Sequence, residues 1–256
     1  LCANDERLPY FLKIMGYHMG DGTMYVTKNK AMVWFYGQPE ELELIRKDIF
    51  KLGYTPSRVY TRERKHKITT SYDTYEFTRK EYSIKVTSRS FLGLLLALGV
   101  PMGKKVCQPY IIPDWVFGLR KWQKRLFLAG LFAAELSSPK ALYNYNFHPP
   151  CLSMNKEKSL IDNGIYFLQQ ISQLLEEFGV RIQKIGRRVE CKSKNGDIHY
   201  RLRLTISSDV DNMINFYSVL GFEYNLRKKN AANTVLQYLK LKKRIIEERS
   251  NAEKTA

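Results

Sequence analysis

Two short apolar stretches, each carrying a single carboxylate at its end, limit what this chain can fold into more than any other feature. The first, residues 9–22, reads PYFLKIMGYHMGDG and contains Asp21; the second, residues 126–135, reads LFLAGLFAAE and ends at Glu135. Pro9 suits the first position of a helix, where its missing amide hydrogen costs nothing. We therefore interpret both stretches as helices with an acidic residue at the C-terminal end.

Small residues recur at matching positions when the two acids are aligned. Gly16 then falls on Gly130, and Gly20 falls on Ala134. Residues four positions apart share one face of a helix, and small side chains there let a second helix backbone approach closely. The alignment predicts that the helices pack through these faces and bring both carboxylates to the same end of the pair. His18, inside the first stretch, is expected to be a packed core histidine.

The motif in the second stretch has a counterpart among known proteins. LAGLFAAE resembles the LAGLIDADG motif of the homing endonucleases, and GYHMGDG in the first stretch resembles a looser variant of it. Two such motifs in one chain imply the single-chain, pseudo-twofold form of that family rather than a homodimer. The chain departs from the motif at Glu135, where the family has aspartate, and at Leu136, where it has glycine. The first change keeps a carboxylate, and the second leaves the form of the following turn open.

The segments that follow the two motifs also repeat. In each half the pattern predicts a helix, two strands, a helix, two strands and a helix, so we expect an α/β (α+β) fold of two αββαββα repeats. The first repeat covers residues 1–113 and the second residues 114–256, with a proline-containing linker at 107–120. In the second repeat an early strand is expected near residues 143–147, and a C-terminal helix over residues 234–248. The motif helices would lie between the repeats, and two antiparallel sheets would form one DNA-binding saddle.

The charge balance restricts the kind of partner. The chain has 42 Lys and Arg against 25 Asp and Glu, a net charge of +17 and a pI near 9.6, which points to a polyanion. No apolar run reaches the roughly 18 residues of a membrane span, and the N-terminal sequence lacks a secretory pattern. The four cysteines are scattered without a CxxC pair, so we expect a cytoplasmic, reducing, DNA-associated location with neither a disulfide framework nor a zinc site.

Basic residues are concentrated on the predicted strands. Nine Lys and Arg stand against four acids between Tyr54 and Ser90, and eight against two between Arg181 and Arg203. Alternating strands have one buried and one solvated face, and two-stranded ribbons fit the major groove, so double-stranded DNA is the expected partner. The predicted DNA-binding residues are Gln38, Arg58, Tyr60, Arg62, Arg64, Lys67, Arg79, Lys85, Arg89, Asn155, Lys156, Arg181, Gln183, Lys184, Arg187, Arg188, Lys192, Lys194, Arg201 and Arg203.

The paired acids predict a metal site. Asp21 and Glu135 would repel each other and the negative helix ends, an arrangement that makes sense when divalent cations lie between them. Mg²⁺ takes oxygen ligands of this kind. The resemblance implies that the two carboxylates and the backbone carbonyls of Gly20 and Ala134 bind two or three divalent cations. Mn²⁺ is expected to replace Mg²⁺, and Ca²⁺ to support binding but not cleavage.

The resemblance also implies a lysine beside each scissile phosphate, where its charge offsets developing negative charge. The matching positions follow the last helix of each repeat, at Lys104 and Lys105 and at Lys228 and Lys229. The predicted catalytic residues are Asp21, Glu135, Lys105 and Lys228.

These features predict a site-specific, magnesium-dependent DNA endonuclease that binds as a monomer to an asymmetric duplex of roughly 20 base pairs, and the resemblance implies that it leaves 3′ overhangs. An RNA maturase that assists intron splicing and a catalytically inactive DNA-binding regulator are alternatives on the same scaffold. An intein would begin with Cys or Ser and end in His-Asn, whereas this sequence begins LCAND and ends KTA. We therefore expect a free-standing intron-encoded enzyme or the endonuclease portion of an intein.

Overall fold

A computed structural model describes residues 4–69, 74–143, 146–192 and 198–255. Lys194, a predicted DNA contact, lies outside the described residues, and so does the side chain of Lys192. No helix in the described ranges is long and apolar enough to cross a membrane.

The first half has the predicted order of helices and strands. Its elements are α1 (Leu8–Asp21), β1 (Gly22–Val26), β2 (Ala31–Tyr36), α2 (Pro39–Lys51), β3 (Tyr60–Thr69), β4 (Thr74–Thr87) and α3 (Arg89–Ala97). A short 3₁₀ turn at Lys105–Cys107 follows.

The second half repeats this order with small differences. Its elements are α4 (Asp114–Phe117), α5 (Lys121–Glu135), β5 (Ala141–Leu142), β6 (Asn146–Phe147), β7 (Cys151–Glu157), α6 (Ile161–Glu176), β8 (Ile182–Lys192), β9 (Ile198–Ile206), α7 (Val210–Val219) and α8 (Leu226–Thr255). The helix α8 begins at Leu226, eight residues before the predicted start at 234. Asn225 precedes it and accepts the Lys228 amide on its side chain at 2.9 Å, the usual arrangement of an N-cap.

The sheets confirm the α/β class with antiparallel strands. The first sheet has the order β1-β2-β4-β3, the second has the order β7-β9-β8, and β5 pairs only with β6 among the described residues. Of the strand expected near residues 143–147, residues 144 and 145 lie outside the described ranges, and the described part, β6, does not join the second sheet. After α5 the chain makes a single bridge between Leu136 and Leu152. Pro139 follows and has no amide hydrogen to extend a strand.

The two motif helices pack through their small residues in a reciprocal way. A Cβ added to Gly16 would overlap the carbonyl oxygen of Phe127, and one added to Gly130 would overlap the carbonyl oxygen of Lys13. Lys13 and Phe127 are themselves aligned positions, so each helix presents the same backbone atoms to the other. Such a contact is that of a twofold interface, here formed within one chain.

The strand faces alternate as predicted. Ile84 and Val86 are buried on β4, and Leu202, Leu204 and Ile206 are buried on β9. These side chains belong to one hydrophobic core that also includes both motif helices and therefore spans both halves.

The segment predicted as a linker, residues 107–120, packs against both halves and contains α4. The backbone amide of Ile112 donates to Gln170 Oε1 at 2.8 Å, and Gln170 Nε2 donates back to the Ile112 carbonyl at 3.0 Å. The indole of Trp115 donates to the Leu98 carbonyl at 3.1 Å. The domain boundary near residue 113 remains a prediction.

Candidate active site and nucleic-acid interface

The two motif acids end the two packed helices. Asp21 is the last residue of α1, and Glu135 is the last residue of α5. A Cβ placed on Gly20 would lie 2.9 Å from Cγ of Glu135, so the second acid reaches back to the end of the first helix. Burial raises the pKa of Asp21. Burial, together with the negative charge of Asp21, raises the pKa of Glu135 to about 7.

Two lysines donate to the carbonyl ends of these helices in matching ways. Lys105 Nζ donates to the His18 carbonyl at 2.7 Å and also to the Gly20 carbonyl. Lys228 Nζ donates to the carbonyls of Ala133 at 2.7 Å and Ala134 at 3.3 Å. Since Gly20 is aligned with Ala134, the structure brings both predicted lysines to equivalent places. Their neighbours Lys104 and Lys229 are exposed.

The acids and lysines influence one another electrostatically. Burial lowers the pKa of Lys105 to about 8, although the charges of Glu135 and Asp21 oppose this shift. Burial also lowers the pKa of Lys228, again against the pull of the two acids. In the part of the chain that the structure describes, neither acid has a cationic side chain within 4.0 Å. Burial raises the pKa values of the two acids, and the charges of both lysines lower them in part, although no direct ion pair forms.

This donor set fits a hard divalent cation at the two carboxylates. Asp21 and Glu135 supply oxygen ligands in a partly enclosed site, which is the chemistry that Mg²⁺ prefers. The described residues hold no cluster of three His, Cys, Asp or Glu side chains, so other ligands would be water and substrate oxygens. The backbone carbonyls of Gly20 and Ala134 are the other metal ligands expected from the resemblance. Gly20 and Ala134 accept hydrogen bonds from Lys105 and Lys228, and because a carbonyl oxygen keeps a second lone pair, their role as metal ligands stays a prediction.

Lys156 is buried, which contradicts the prediction that it contacts DNA. Its side chain is fully buried, and Nζ donates to the carbonyls of Lys105 at 2.9 Å and Gln108 at 2.6 Å. The ammonium also lies 4.1 Å from the ring centroid of Tyr110, and burial lowers its pKa to about 8. The ammonium group therefore binds acceptors inside the protein and does not face the solvent.

The outer face of the first sheet carries most of its predicted contacts. The register pairs Tyr60 with Ser83, Arg62 with Glu81 and Arg64 with Arg79, so these residues share the face opposite the buried side chains of β4. Lys85 lies on the same face. Lys67 alternates to the opposite face, where Nζ bonds Glu76 Oε1 at 2.8 Å. Lys67 therefore does not share the face that carries the other predicted contacts of this sheet.

The second sheet divides its basic residues in the same way. Four basic residues lie on its outer face, because along β9 the positions they occupy or pair with alternate with the buried Leu202 and Leu204. They are Lys184, Arg188, Arg201 and Arg203. Arg187 is paired with Leu202, so this exposed residue lies on the opposite face from the other predicted contacts.

The remaining predicted contacts lie at strand ends and irregularities. Gln38 is the N-cap of α2, and its backbone amide donates to Glu41 at 3.0 Å. Arg181 pairs with Asp209 at 2.5 Å just before β8, and Gln183 lies in a bulge between Ile182 and Lys184. Arg58 and Arg89 are exposed beside strand ends, whereas Asn155 is exposed within β7, where it pairs with Arg201.

Sequence reasoning missed Trp34 and Tyr36 on the first sheet, although it predicted Tyr60 on the same face. Trp34 and Tyr36 lie on the sheet's outer face, because they alternate along β2 with Val33 and Phe35, which are buried. The alternation in AMVWFY is the signal that could have found them. His18 is fully buried with its ring against Phe35 at 5.3 Å, which confirms the prediction of a packed histidine.

The chain is similar to segments of three different proteins, each of which is much longer than this chain. It is 34% identical over 253 residues to the tRNA-splicing ligase RtcB of Methanopyrus kandleri, a match that covers 99% of this chain and 25% of the ligase. It is 29% identical to the DNA-directed RNA polymerase subunit Rpo1N of Methanocaldococcus jannaschii, over 98% of this chain and 18% of the subunit. It is 28% identical to the replication factor C small subunit of the same organism, over 93% and 12%. The chain thus spans about a quarter or less of these curated relatives.

No model of a known protein family matches the chain. Among solved structures, the homing endonuclease I-WcaI bound to its DNA recognition sequence is 14% identical, with a TM-score of 0.49 over 83% of this chain and 80% of that one.

Proposed function

We propose that the chain is a metal-dependent, site-specific DNA endonuclease of the LAGLIDADG homing type that acts as a monomer. The observation that carries this proposal is the reciprocal pair of motif helices. They bring Asp21 and Glu135 to one end, each beside a lysine that is bonded to the carbonyl end of a helix. A duplex has two strands related by a twofold axis, and one pseudo-twofold site with two acids and two lysines suits the cleavage of both.

The distribution of similar segments supports an inserted module. The same stretch of about 250 residues matches a ligase, a polymerase subunit and a replication factor, whose names describe three different activities. A shared host activity does not account for this, whereas a segment with an activity of its own does. We propose that this chain is the endonuclease portion of an intein within a longer protein.

The residues of the chain divide the work between binding and chemistry. The outer faces of the two sheets would neutralise phosphates and contact base edges in the major groove. Asp21 and Glu135 would hold Mg²⁺, which would supply an activated water and stabilise the leaving oxygen. Lys105 and Lys228 would each keep a proton at Nζ and offset negative charge that develops on the phosphate. The product would be a double-strand break with 3′ overhangs in a duplex of roughly 20 base pairs.

The test removes the charge of each acid while keeping its size. Asp21→Asn and Glu135→Gln should each abolish cleavage of at least one strand, because the cation loses a charged ligand. Asp162→Asn, an exposed acid in the first turn of α6, is the matched control and should cut normally. The substrate is end-labelled duplex spanning the host-gene junction without the insertion, incubated with Mg²⁺, Mn²⁺ or Ca²⁺.

Binding is measured on the same duplex beside cleavage. Both acid variants should still bind, since removing a negative charge from a DNA-facing site relieves repulsion. Ca²⁺ should permit binding without cleavage. Wild-type cutting of both strands by both variants would show that the paired acids are only a packing feature. Tight binding with no cleavage in any cation would favour a regulator, and a preference for intron RNA would favour a maturase.

A further inference from the structure

Four aromatic side chains form a patch on the outer face of the first sheet, which we call the aromatic floor: Tyr25, Trp34, Tyr36 and Tyr60. Trp34 is nearly parallel to Tyr36, with an interplanar angle of 9° and centroids 6.4 Å apart. Its centroid lies 6.5 Å from that of Tyr60, and its indole donates to the Tyr25 hydroxyl at 3.2 Å. The floor lines a surface depression of about 370 Å³.

The floor is accessible and carries a positive charge. Tyr25, Tyr36 and Tyr60 remain 39%, 41% and 37% exposed, so their rings can contact a partner. Lys85 Nζ lies 5.5 Å from the Trp34 centroid and 5.2 Å from that of Tyr60, where the rings attract the cation. A contiguous exposed aromatic patch is a feature of contact surfaces, and the lysine directs this one toward an anionic partner.

Among the described residues, the outer face of the second sheet has no such floor. The bridge between Leu136 and Leu152 in the second half is equivalent to the pair formed by Gly22 and Phe35 in the first half. Counting along the paired strands from these two equivalent pairs matches the remaining positions of the two sheets. By this correspondence, the positions of Trp34, Tyr36 and Tyr60 are held by Cys151, Ser153 and Gly186. The two faces therefore differ in chemistry although their backbones correspond.

The second sheet instead presents one arginine that is not engaged by an acid. Arg203 holds the position of Ser83 in the first sheet. Its neighbours Arg188 and Arg201 both pair with Glu190. Within the described ranges Arg203 forms no ion pair within 4.0 Å, and its buried Nε has no hydrogen-bond partner. Among the outer-face arginines of the second sheet's described strands, Arg203 is therefore the one that no acid engages.

These differences match two kinds of base edge in the major groove. The C5-methyl group of thymine is read by apolar contact, and the O6 and N7 atoms of guanine are read by the paired donors of arginine. We propose that the two halves read opposite ends of the target differently: the aromatic floor contacts thymine methyl groups, and Arg203 contacts guanine. The inference rests on the proposed function only in taking duplex DNA as the ligand.

The experiment begins with selection of bound sequences from a randomised duplex library in EDTA, so that cleavage plays no part. The wild-type chain should enrich thymine at one end of the site and guanine at the other. Trp34→Ala should lose only the thymine preference, and Arg203→Ala only the guanine preference. Phe50→Ala removes an exposed aromatic ring on α2, away from the sheet, and should change neither.

A second step isolates the methyl group. Replacing thymine by uracil in the thymine-rich half removes only C5-methyl groups and should weaken wild-type binding roughly fourfold for each methyl buried. The same change should have no effect on Trp34→Ala. Replacing the contacted guanine should weaken wild-type binding by roughly fivefold to a hundredfold and leave Arg203→Ala unaffected.

Three outcomes would overturn the inference. They are selected sites without thymine enrichment, uracil substitutions that are equally harmless in both halves, and a single-stranded competitor that binds the floor better than duplex does. The last would mean that the rings stack on unpaired bases. Failure of the proposed function is distinguishable, because it would appear as absent cleavage of the junction duplex while the base preferences in EDTA persist.

Discussion

Lys156 of the second half donates its ammonium to the carbonyl oxygen of Lys105 in the first half, at 2.9 Å. A second bond, to the Gln108 carbonyl at 2.6 Å, holds the other end of the same 3₁₀ turn. The turn places the Lys105 side chain against the end of α1. One half of the chain therefore fixes the position of the lysine that serves the other half.

Lys156→Met should impair cleavage of one strand more than the other, because only the Lys105 turn loses its support. The partly buried carbonyls of Lys105 and Gln108 would each lose this donor, at a cost of up to about 1–3 kcal/mol each. Lys156→Arg, which keeps a cation, should recover part of the activity. Strand-resolved cleavage and denaturant unfolding measure the two effects. Lys158→Met, an exposed lysine two residues away, is the control; equal loss on both strands would contradict the positioning role.

Gly16→Ala should destabilise the protein strongly, by several kcal/mol, because the new methyl group meets the backbone of α5 and not a movable side chain. Gly93→Ala is the matched control within helix α3, where nothing lies within 4 Å of the added Cβ. Alanine there should stabilise the helix by about 0.5–1 kcal/mol. Unfolding midpoints of both variants test the contrast, and a mild effect at Gly16 would show that the helices can separate.

Glu135 should make stability depend on pH in the absence of metal. Its folded pKa of about 7 lies above the usual 4.5, so the folded state holds the extra proton between these values. Stability should therefore fall as pH rises from about 4.5 to 7, by on the order of 3 kcal/mol. Glu135→Gln in EDTA should be more stable than wild type at pH 8 but not at pH 4. Mg²⁺ should stabilise only the wild type; a difference independent of pH would contradict this.

Lys85 and Lys67 test the assignment of strand faces. Lys85→Ala should weaken DNA binding and reduce the slope of log affinity against log salt by about 1 if the lysine contacts a phosphate. Lys67→Ala, on the opposite face, should leave both the affinity and the slope unchanged. Titrations of the same duplex at several salt concentrations give both quantities. A larger effect at Lys67 would mean that the DNA lies on the other side of the hairpin.

Local sequence patterns predicted the features that depend on one element at a time. The acids at the ends of α1 and α5 and the buried residues of β4 and β9 follow from helical and strand periodicity. Periodicity could also have excluded Arg187, which alternates with Arg188. The bulge at Gln183 locally changes which side chains alternate between the two faces of β8, and no residue type in the strand predicts it.

Features that depend on distant segments could not be predicted in this way. Lys156 is buried because a turn about fifty residues earlier supplies carbonyl oxygens, and no local pattern encodes that partner. The engagement of the Gly20 carbonyl by Lys105 is of the same kind. The early start of α8 is different, since Asn225 is a recognisable N-cap residue that indicates it.

The reciprocal contact between Gly16 and Gly130 makes each half the missing piece of the other. A polypeptide carrying only α1 would expose the glycine face that α5 normally covers, and the reverse holds for the second half. Two fragments divided between α3 and α5 should therefore be unstable alone and reassemble when they are expressed together. Fragment complementation, with activity restored only in the mixture, is the behaviour that such a shared helix pair entails.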